Sequence, residues 1–134
     1  MSARIIFAAL VLIIGTASAS GQSLQAPSAW KNQRGSILTI TTIDGSGNFV
    51  GVYDNEAPGY PCHDTFDMKG KVSGTTVTFA VVWKNSHGSD CGSVTAWRGR
   101  IIGSAISTRW KLAYGNSATG RVELKTGRDS FSKQ

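Results

Sequence analysis

Residues 76–99, TVTFAVVWKNSHGSDCGSVTAWRG, contain two runs in which apolar and polar side chains alternate. A period of two is typical of β-strands, and the polar, glycine-containing loop between the runs predicts a hairpin. One face of this hairpin carries Trp83 and Trp97 beside the hydroxyls of Ser93 and Thr95. Aromatic walls with a few polar groups are typical of a small-molecule pocket, although a barrel core with hydrogen-bonded hydroxyls fits the hairpin equally well.

Six further segments repeat the alternating pattern, and none of the chain after residue 28 has sustained helical spacing. These segments are residues 29–33, 36–43, 48–54, 65–72, 105–114 and 121–131. Together with the hairpin they make eight consecutive strands joined by short turns. We therefore predict an all-β fold, an eight-stranded antiparallel up-and-down β-barrel, because closure removes the unpaired edges of the sheet. Such a barrel has room inside for side chains or one small ligand.

The N-terminus has the pattern of a secretory signal peptide. Arg4 precedes an apolar run of ten residues, 5–14, which is too short to span a membrane, and Ala17-Ser18-Ala19 supplies a small-residue cleavage site. We predict a signal peptide over residues 1–19, a flexible N-terminal segment over 20–28 and the barrel over 29–134. The protein is then expected to be secreted, to the extracellular space or the periplasm.

The mature chain contains two cysteines, Cys62 and Cys91. Both lie in predicted loops, and export to an oxidising compartment favours a disulfide, with two free thiols as the alternative. Closing a loop of this length would stabilise the fold by about 3–4 kcal/mol on the chain-entropy model.

Charge and motifs argue against several function classes. The formal net charge is +6 at pH 7, but the basic residues are scattered and form no run typical of a nucleic-acid-binding arm. His63 and His87 lie in separate predicted loops, without a nucleophile elbow or a cluster with metal-ligand spacing. We expect no enzyme, no metal site, no cofactor, and no specific nucleic-acid or membrane partner.

Short polar side chains accompany the aromatic residues at other predicted strand ends. Asn32 and Ser36 flank the first turn. Tyr53 and Asn55 end the third strand, and Asp129 lies on the inward phase of the last strand. A single such group would be a satisfied core residue, but several directed into one barrel mouth predict a hydrogen-bonding site.

Six short motifs resemble the avidin/streptavidin family, in order and at family-like spacing, over residues 29–132. They are Trp30-x-Asn32-x-x-Gly35-Ser36, Gly51-x-Tyr53, Val81-x-Trp83, Thr95-x-Trp97-x-Gly99, Thr108-x-Trp110 and Gly127-x-Asp129-x-Phe131. The resemblance implies a barrel that binds biotin, or biotinylated molecules, tightly and without altering the ligand, and that could thereby sequester biotin.

The resemblance also implies a role for each polar residue of the site. Asn32, Ser36 and Tyr53 would donate hydrogen bonds to the ureido oxygen of biotin. Asp129 and Asn55 would accept from the two ureido N–H groups. Converging donors and a charged acceptor give strong, charge-assisted bonds.

The other family positions imply contacts to the rest of the ligand. Thr95 would meet the thioether sulfur and Ser93 would lie near the valerate carboxylate, whereas Trp30 is interpreted as core at the barrel floor. The walls around the bicyclic ring and the tail would come from three indoles: Trp83, Trp97 and Trp110.

Two departures from the tetrameric family members point to a subgroup. Those members cover the ligand with a Trp from a neighbouring subunit, but residues 115–125 contain no Trp and Arg121 lies near its place. The Cys62/Cys91 pair matches the dimeric, disulfide-bearing, rhizavidin-like bacterial avidins. This implies a homodimer in which the disulfide rigidifies the ligand-covering loop, residues 57–64, and so lowers the ordering cost of binding.

Two other functions fit parts of the pattern. A lipocalin-like carrier of another small ligand would use the same barrel interior, but the polar groups at one end of the barrel argue against a purely apolar ligand. A barrel that binds single-stranded nucleic acid would need aromatics on a basic outer face, whereas the Trp residues are out of phase with Arg98, Arg109 and Lys111.

Overall fold

A computed structural model describes residues 24–134. Within that range the chain is built from β-strands, and it contains no helix that could cross a membrane. The predicted signal peptide, residues 1–19, lies outside the described residues. The strands are β1 (Ser28–Asn32), β2 (Ile37–Ile43), β3 (Asn48–Asp54), β4 (Thr65–Ser73), β5 (Thr76–Lys84), β6 (Asp90–Ile102), β7 (Ala105–Asn116) and β8 (Arg121–Lys133).

The eight strands form one closed barrel in which every strand pairs antiparallel with the next. The ring closes where β1 pairs with β8, so that Asn32 lies opposite Phe131. Closure gives each described strand two hydrogen-bonded neighbours and leaves no exposed sheet edge. The predicted fold class, an eight-stranded antiparallel up-and-down β-barrel, is confirmed.

Alternation along each strand builds the core. In β5, Val77, Phe79, Val81 and Trp83 are buried, while the intervening Thr78 is exposed. Aromatic rings fill the interior, and their contacts include a stacked pair, Phe79 and Trp97, with centroids 4.9 Å apart. The core residues are Leu24, Trp30, Leu38, Ile40, Phe49, Tyr53, Phe66, Met68, Val77, Phe79, Val81, Trp83, Trp97, Ile101, Ile106, Trp110 and Phe131.

Two local expectations differ from the structure. Cys91 was predicted in a loop, but β6 already begins at Asp90 because Lys84 and Asp90 pair across the hairpin and extend the ladder toward its tip. In the segment expected to be flexible, residues 20–28, Leu24 is buried against the core and Ser28 is the first residue of β1. Residues 20–23 lie outside the described range.

Candidate ligand-binding site

A cavity of about 230 Å³ opens at one end of the barrel. Drug-sized ligands usually occupy about 300–1,000 Å³, so this cavity suits a small ligand. Its lining combines aromatic rings with a few polar side chains. The lining residues are Arg34, Tyr53, Asn55, Ala57, Tyr60, Pro61, Cys62, Trp83, Cys91, Ser93, Thr95, Trp110, Leu112, Tyr114, Lys125 and Asp129.

The structure brings the predicted site residues to this one end of the barrel. Three of them, Asn32, Ser36 and Trp97, are buried behind the residues that line the cavity. Each makes a hydrogen bond to a lining residue, and the Trp97 ring also stacks on Tyr53. The others line the cavity directly: Tyr53, Asn55, Trp83, Ser93, Thr95, Trp110 and Asp129. The barrel therefore assembles residues from five strands and a loop into one pocket.

The carboxylate of Asp129 is the charged centre of the pocket and is only 5% exposed. Its Oδ2 accepts a hydrogen bond from Trp97 Nε1 at 2.9 Å. Its Oδ1 accepts one from Gln33 Nε2 at 2.9 Å and lies 3.3 Å from Arg34 Nε in an ion pair. Because each carboxylate oxygen can accept two bonds, residues 24–134 leave one acceptor position of Oδ2 free.

A second polar cluster stands beside Asp129. Asn32 Nδ2 donates to the phenol oxygen of Tyr53 at 3.2 Å, and Asn32 Oδ1 accepts from the Ser36 amide at 3.0 Å. The turn between them is tight, with Gly35 at φ +91°, and it holds both side chains on the inner side of the barrel. Burial raises the pKa of Tyr53 well above its usual value, and the charge of Asp129 adds to this effect. The phenol therefore stays protonated and able to donate.

Asn55 connects this cluster to the loop that follows β3. Its Nδ2 donates to the carbonyl oxygen of Cys62 at 2.7 Å. Its Oδ1 accepts from Ser36 Oγ and from the Ala57 amide, both at 3.3 Å. Both acceptor positions of the Asn55 oxygen are thus occupied, and rotation of the Ser36 hydroxyl would free one of them.

The indole walls are fixed from behind. Trp83 Nε1 donates to the Thr95 hydroxyl at 2.8 Å, which leaves the hydroxyl hydrogen of Thr95 free to point into the cavity. Trp110 packs against Gly127, where a Cβ would lie 2.2 Å from the indole Cζ2. The glycine of the Gly127-x-Asp129 motif therefore makes room for one wall while Asp129 forms part of another.

The loop over the cavity is held by two links, one to the start of β6 and one to the β5–β6 loop. Cys62 and Cys91 form a disulfide, as expected, with their Cα atoms 6.2 Å apart. Asp64 accepts hydrogen bonds from Ser89 Oγ at 2.6 Å and Asn85 Nδ2 at 2.9 Å, and lies 2.9 Å from His87 Nε2. The Ser89 bond, followed by the His87 and Asn85 contacts, holds the pKa of Asp64 far below its usual range.

Both histidines belong to this loop structure. His63 Nε2 lies 2.8 Å from the Ala57 carbonyl oxygen, within the covering loop. Among residues 24–134 no group of three or more His, Cys, Asp or Glu side chains is placed to hold a metal ion.

Sequence reasoning missed several cavity residues. Leu112 and Tyr114 continue the inward phase of Trp110 along β7, and Lys125 shares the inward phase of Asp129 on β8, so alternation alone could have identified them. Arg34 lies in a turn, which has no periodicity, and only the closed barrel shows that it reaches the cavity. Tyr60 belongs to the predicted covering loop, residues 57–64, but no pattern in the sequence distinguishes it from the other residues of that loop.

Comparison with known proteins decides the family. Residues 20–134 match the sequence profile of the Avidin family. The chain belongs to the avidin family. Afifavidin of Afifella pfennigii is 40% identical over 111 residues, which cover 78% of this chain and 67% of afifavidin.

Solved avidin structures have the same fold. Apo shwanavidin superposes with a TM-score of 0.75 at 37% identity, over 84% of this chain and 98% of shwanavidin. A rhizavidin–biotin complex superposes with a TM-score of 0.74 at 35% identity, over 82% and 92% of the two chains. The resemblance to rhizavidin-like bacterial avidins is confirmed, and proteins of this family bind biotin without catalysis.

Proposed function

We propose that this protein binds biotin, without chemical change, in the cavity at the end of the barrel. The observation that carries the proposal is the Asp129 carboxylate, which is buried at the cavity wall with one acceptor position free. A buried carboxylate with unused capacity favours a ligand that presents an N–H donor. The ureido group of biotin has two such donors and one oxygen acceptor between them.

The ureido oxygen would be bound by the cluster behind the lining. Tyr53 and Asn32 are already hydrogen-bonded to each other, and Ser36 contacts Asn55. If the Ser36 hydroxyl turns toward the ligand oxygen, Asn55 Oδ1 regains an acceptor position for the second ureido N–H. The donor role of Ser36 and the acceptor role of Asn55 are thereby coupled.

The rest of the ligand would contact the aromatic walls. Trp83 and Trp110 flank the cavity, Thr95 would present its hydroxyl to the thioether sulfur, and Ser93 would lie at the valerate end. Because hydrogen bonds and packing already fix these side chains, little ordering accompanies binding, which favours high affinity.

The same geometry argues against the other two functions. Trp83, Trp97 and Trp110 are each at most 7% exposed, so they offer no external platform for stacked bases. A purely apolar ligand would leave the open acceptor position of the buried Asp129 carboxylate unused and shielded from water, which is unfavourable.

Thermal unfolding with and without biotin tests the proposed function. Excess biotin should raise the melting temperature strongly by mass action, whereas pentanoate, which reproduces only the tail, should not. An unchanged melting temperature at saturating biotin would exclude this ligand.

The protein is further proposed to act as a homodimer. Outward-facing apolar side chains form a row across four neighbouring strands, since Val82 pairs with Val94, Val94 with Ala113, and Ala113 with Leu124. Val82 and Leu124 are 58% and 68% exposed. A contiguous exposed apolar row supports contact with a second copy.

Light scattering tests the proposed homodimer. It should give the mass of a dimer with and without biotin, and a stable tetramer would contradict the proposal.

Secretion, finally, is proposed on the predicted signal peptide, residues 1–19, and on the Cys62–Cys91 disulfide, which is typical of oxidising compartments. N-terminal sequencing of protein recovered outside the cytoplasm should begin near Ser20. Recovery of the full-length chain from the cytoplasm, with two free thiols that can be alkylated without prior reduction, would contradict the proposal.

A further inference from the structure

Two cations line the cavity, and both lie against aromatic rings. The guanidinium of Arg34 is 5.6 Å from the Trp110 ring centroid and 5.9 Å from that of Tyr60. The ammonium of Lys125 is 6.0 Å from the Tyr60 centroid and 5.2 Å from that of Tyr114. Aromatic and cationic side chains therefore alternate around the cavity, in an arrangement that favours cation–π attraction.

The two cations differ in what already balances their charge. Arg34 pairs with the Asp129 carboxylate at 3.3 Å. Lys125 makes no ion pair within the described part of the chain. The neighbouring acid on β8, Glu123, accepts hydrogen bonds from Tyr114 Oη at 2.7 Å and from Asn116 Nδ2 at 2.8 Å. The ammonium of Lys125 is thus the cation available to a ligand.

Strand register places Lys125 at the opposite end of the cavity from the polar cluster. Lys125 precedes Asp129 by four residues on β8. It pairs with Leu112 of β7, which lies two residues before Tyr114, the partner of Ser93. Four residues of extended strand span about 13 Å. A bicyclic head held at Asp129 would therefore direct a short aliphatic tail, with whatever group ends it, toward Lys125.

We propose that Lys125 binds the carboxylate at the free end of the ligand, so that the site selects the free acid over amide conjugates. This inference rests on the proposed biotin-binding function. The Tyr60 and Tyr114 rings flank the ammonium of Lys125 and limit its orientations, which lowers the ordering cost of pairing with an anion. An amide at the same position carries no charge and loses this pairing.

Competition binding of biotin and biotinamide, its uncharged primary amide, tests the inference. The measured quantity is the ratio of the Kd for biotinamide to the Kd for biotin, in the wild type and in the Lys125→Gln and Lys111→Gln variants. Lys111 is the matched control, since it is an exposed lysine on β7 that does not line the cavity. We expect Lys125→Gln to lower the ratio about two- to fivefold, the scale of a partly exposed ion pair, and Lys111→Gln to leave it unchanged.

Salt provides a second readout, because screening should lower the ratio in the wild type and not in Lys125→Gln. An equal ratio in the wild type and Lys125→Gln would overturn the role of Lys125 and leave biotin binding intact. An equal fall in Lys111→Gln would overturn it too, as an effect of net charge. Failure of the wild type to bind either ligand would overturn the proposed function, and this inference with it.

Discussion

At the scale of single residues, Gly127 shows how a missing side chain shapes the cavity. A Cβ at this position would lie 2.2 Å from Trp110 Cζ2 and 2.4 Å from Cε2. The indole can therefore pack flat against the β8 backbone only because residue 127 is glycine. The residue that forms the wall and the residue that permits it lie opposite each other on β7 and β8.

We predict that Gly127→Ala displaces Trp110 and weakens biotin binding. Overpacking of this kind should also lower the free energy of unfolding by about 1–3 kcal/mol. Gly115→Ala is the control, because a Cβ there would meet no atom of the described residues within 4 Å apart from its neighbours along the chain. Calorimetric titration and urea unfolding of both variants test the prediction, which fails if the two behave alike.

Asp129 combines a structural and a binding role. In Asp129→Ala, Trp97 Nε1 and Gln33 Nε2 lose their acceptor, so stability should fall by about 1–3 kcal/mol. Biotin binding should weaken by about 2–5 kcal/mol, because the ligand also loses a charged partner. Asp67→Ala, at an exposed position of β4, should bind as the wild type does. Wild-type affinity in Asp129→Ala, measured by displacement, would refute the assigned role.

At the scale of elements, two loops act as one unit over the cavity. The disulfide joins Cys62 of the β3–β4 loop to Cys91 at the start of β6. The network around Asp64 joins the same two regions through Asn85 and Ser89. One link is covalent and the other electrostatic, so each can be removed separately.

We predict that the double variant Cys62→Ser/Cys91→Ser loses about 3–4 kcal/mol of stability, the chain-entropy value for a loop of 29 residues. Biotin should also dissociate faster, because the covering loop must then be ordered on binding. Reductant should reproduce both changes in the wild type and have no effect on the double variant. Unchanged dissociation would show that the disulfide does not hold the cover.

The Asp64 network makes a pH-dependent contribution to stability. The folded state lowers the pKa of Asp64 below its ordinary value of 3.8, with the Ser89 hydrogen bond as the largest cause. The carboxylate therefore stabilises the fold above about pH 4, and this contribution is lost as the pH falls further, toward the folded-state pKa. Asp64→Ala should melt below the wild type at pH 7, and the difference should shrink below pH 4. A difference that is constant with pH would contradict the prediction.

At the scale of the whole molecule, the outer face of β5–β8 carries two kinds of side chain. The apolar row from Val82 to Leu124 lies near the cavity end. Toward the other end, Arg98, Arg109 and Arg128 stand side by side, since β6 to β8 pair in that register. A two-fold contact through this face would bury the apolar row and bring like charges of both copies close together.

We therefore predict that salt strengthens the proposed homodimer. Screening reduces repulsion between the arginines while it leaves the apolar contact intact. Sedimentation at about 50 and about 500 mM salt, where the screening length is about 14 and about 4 Å, should show tighter association at the higher concentration. Arg98→Gln/Arg109→Gln should associate at low salt as well. Dimerisation that is independent of salt, in both proteins, would place the contact elsewhere.

Much of the barrel followed from local pattern. Side chains alternate across a strand with a period of two, so the sequence alone predicts that Trp83, Trp97 and Asp129 face inward. The bounds of β3 were predicted to the residue, since glycine-containing turns and loops flank it. The start of β6 was not, because pairing between Lys84 and Asp90 continues the ladder through residues that resemble a loop.

The sequence by itself determined the strand count, the inward faces and the polar residues that the family motifs mark, because these depend on neighbours along the chain. Only the tertiary structure decided how the turn residue Arg34 and the loop residue Tyr60 meet the inward-facing Lys125, and how Ser36 couples to Asn55. Those contacts join turns and strands that are distant in sequence. Their geometry depends on barrel closure and strand register, which no local periodicity encodes.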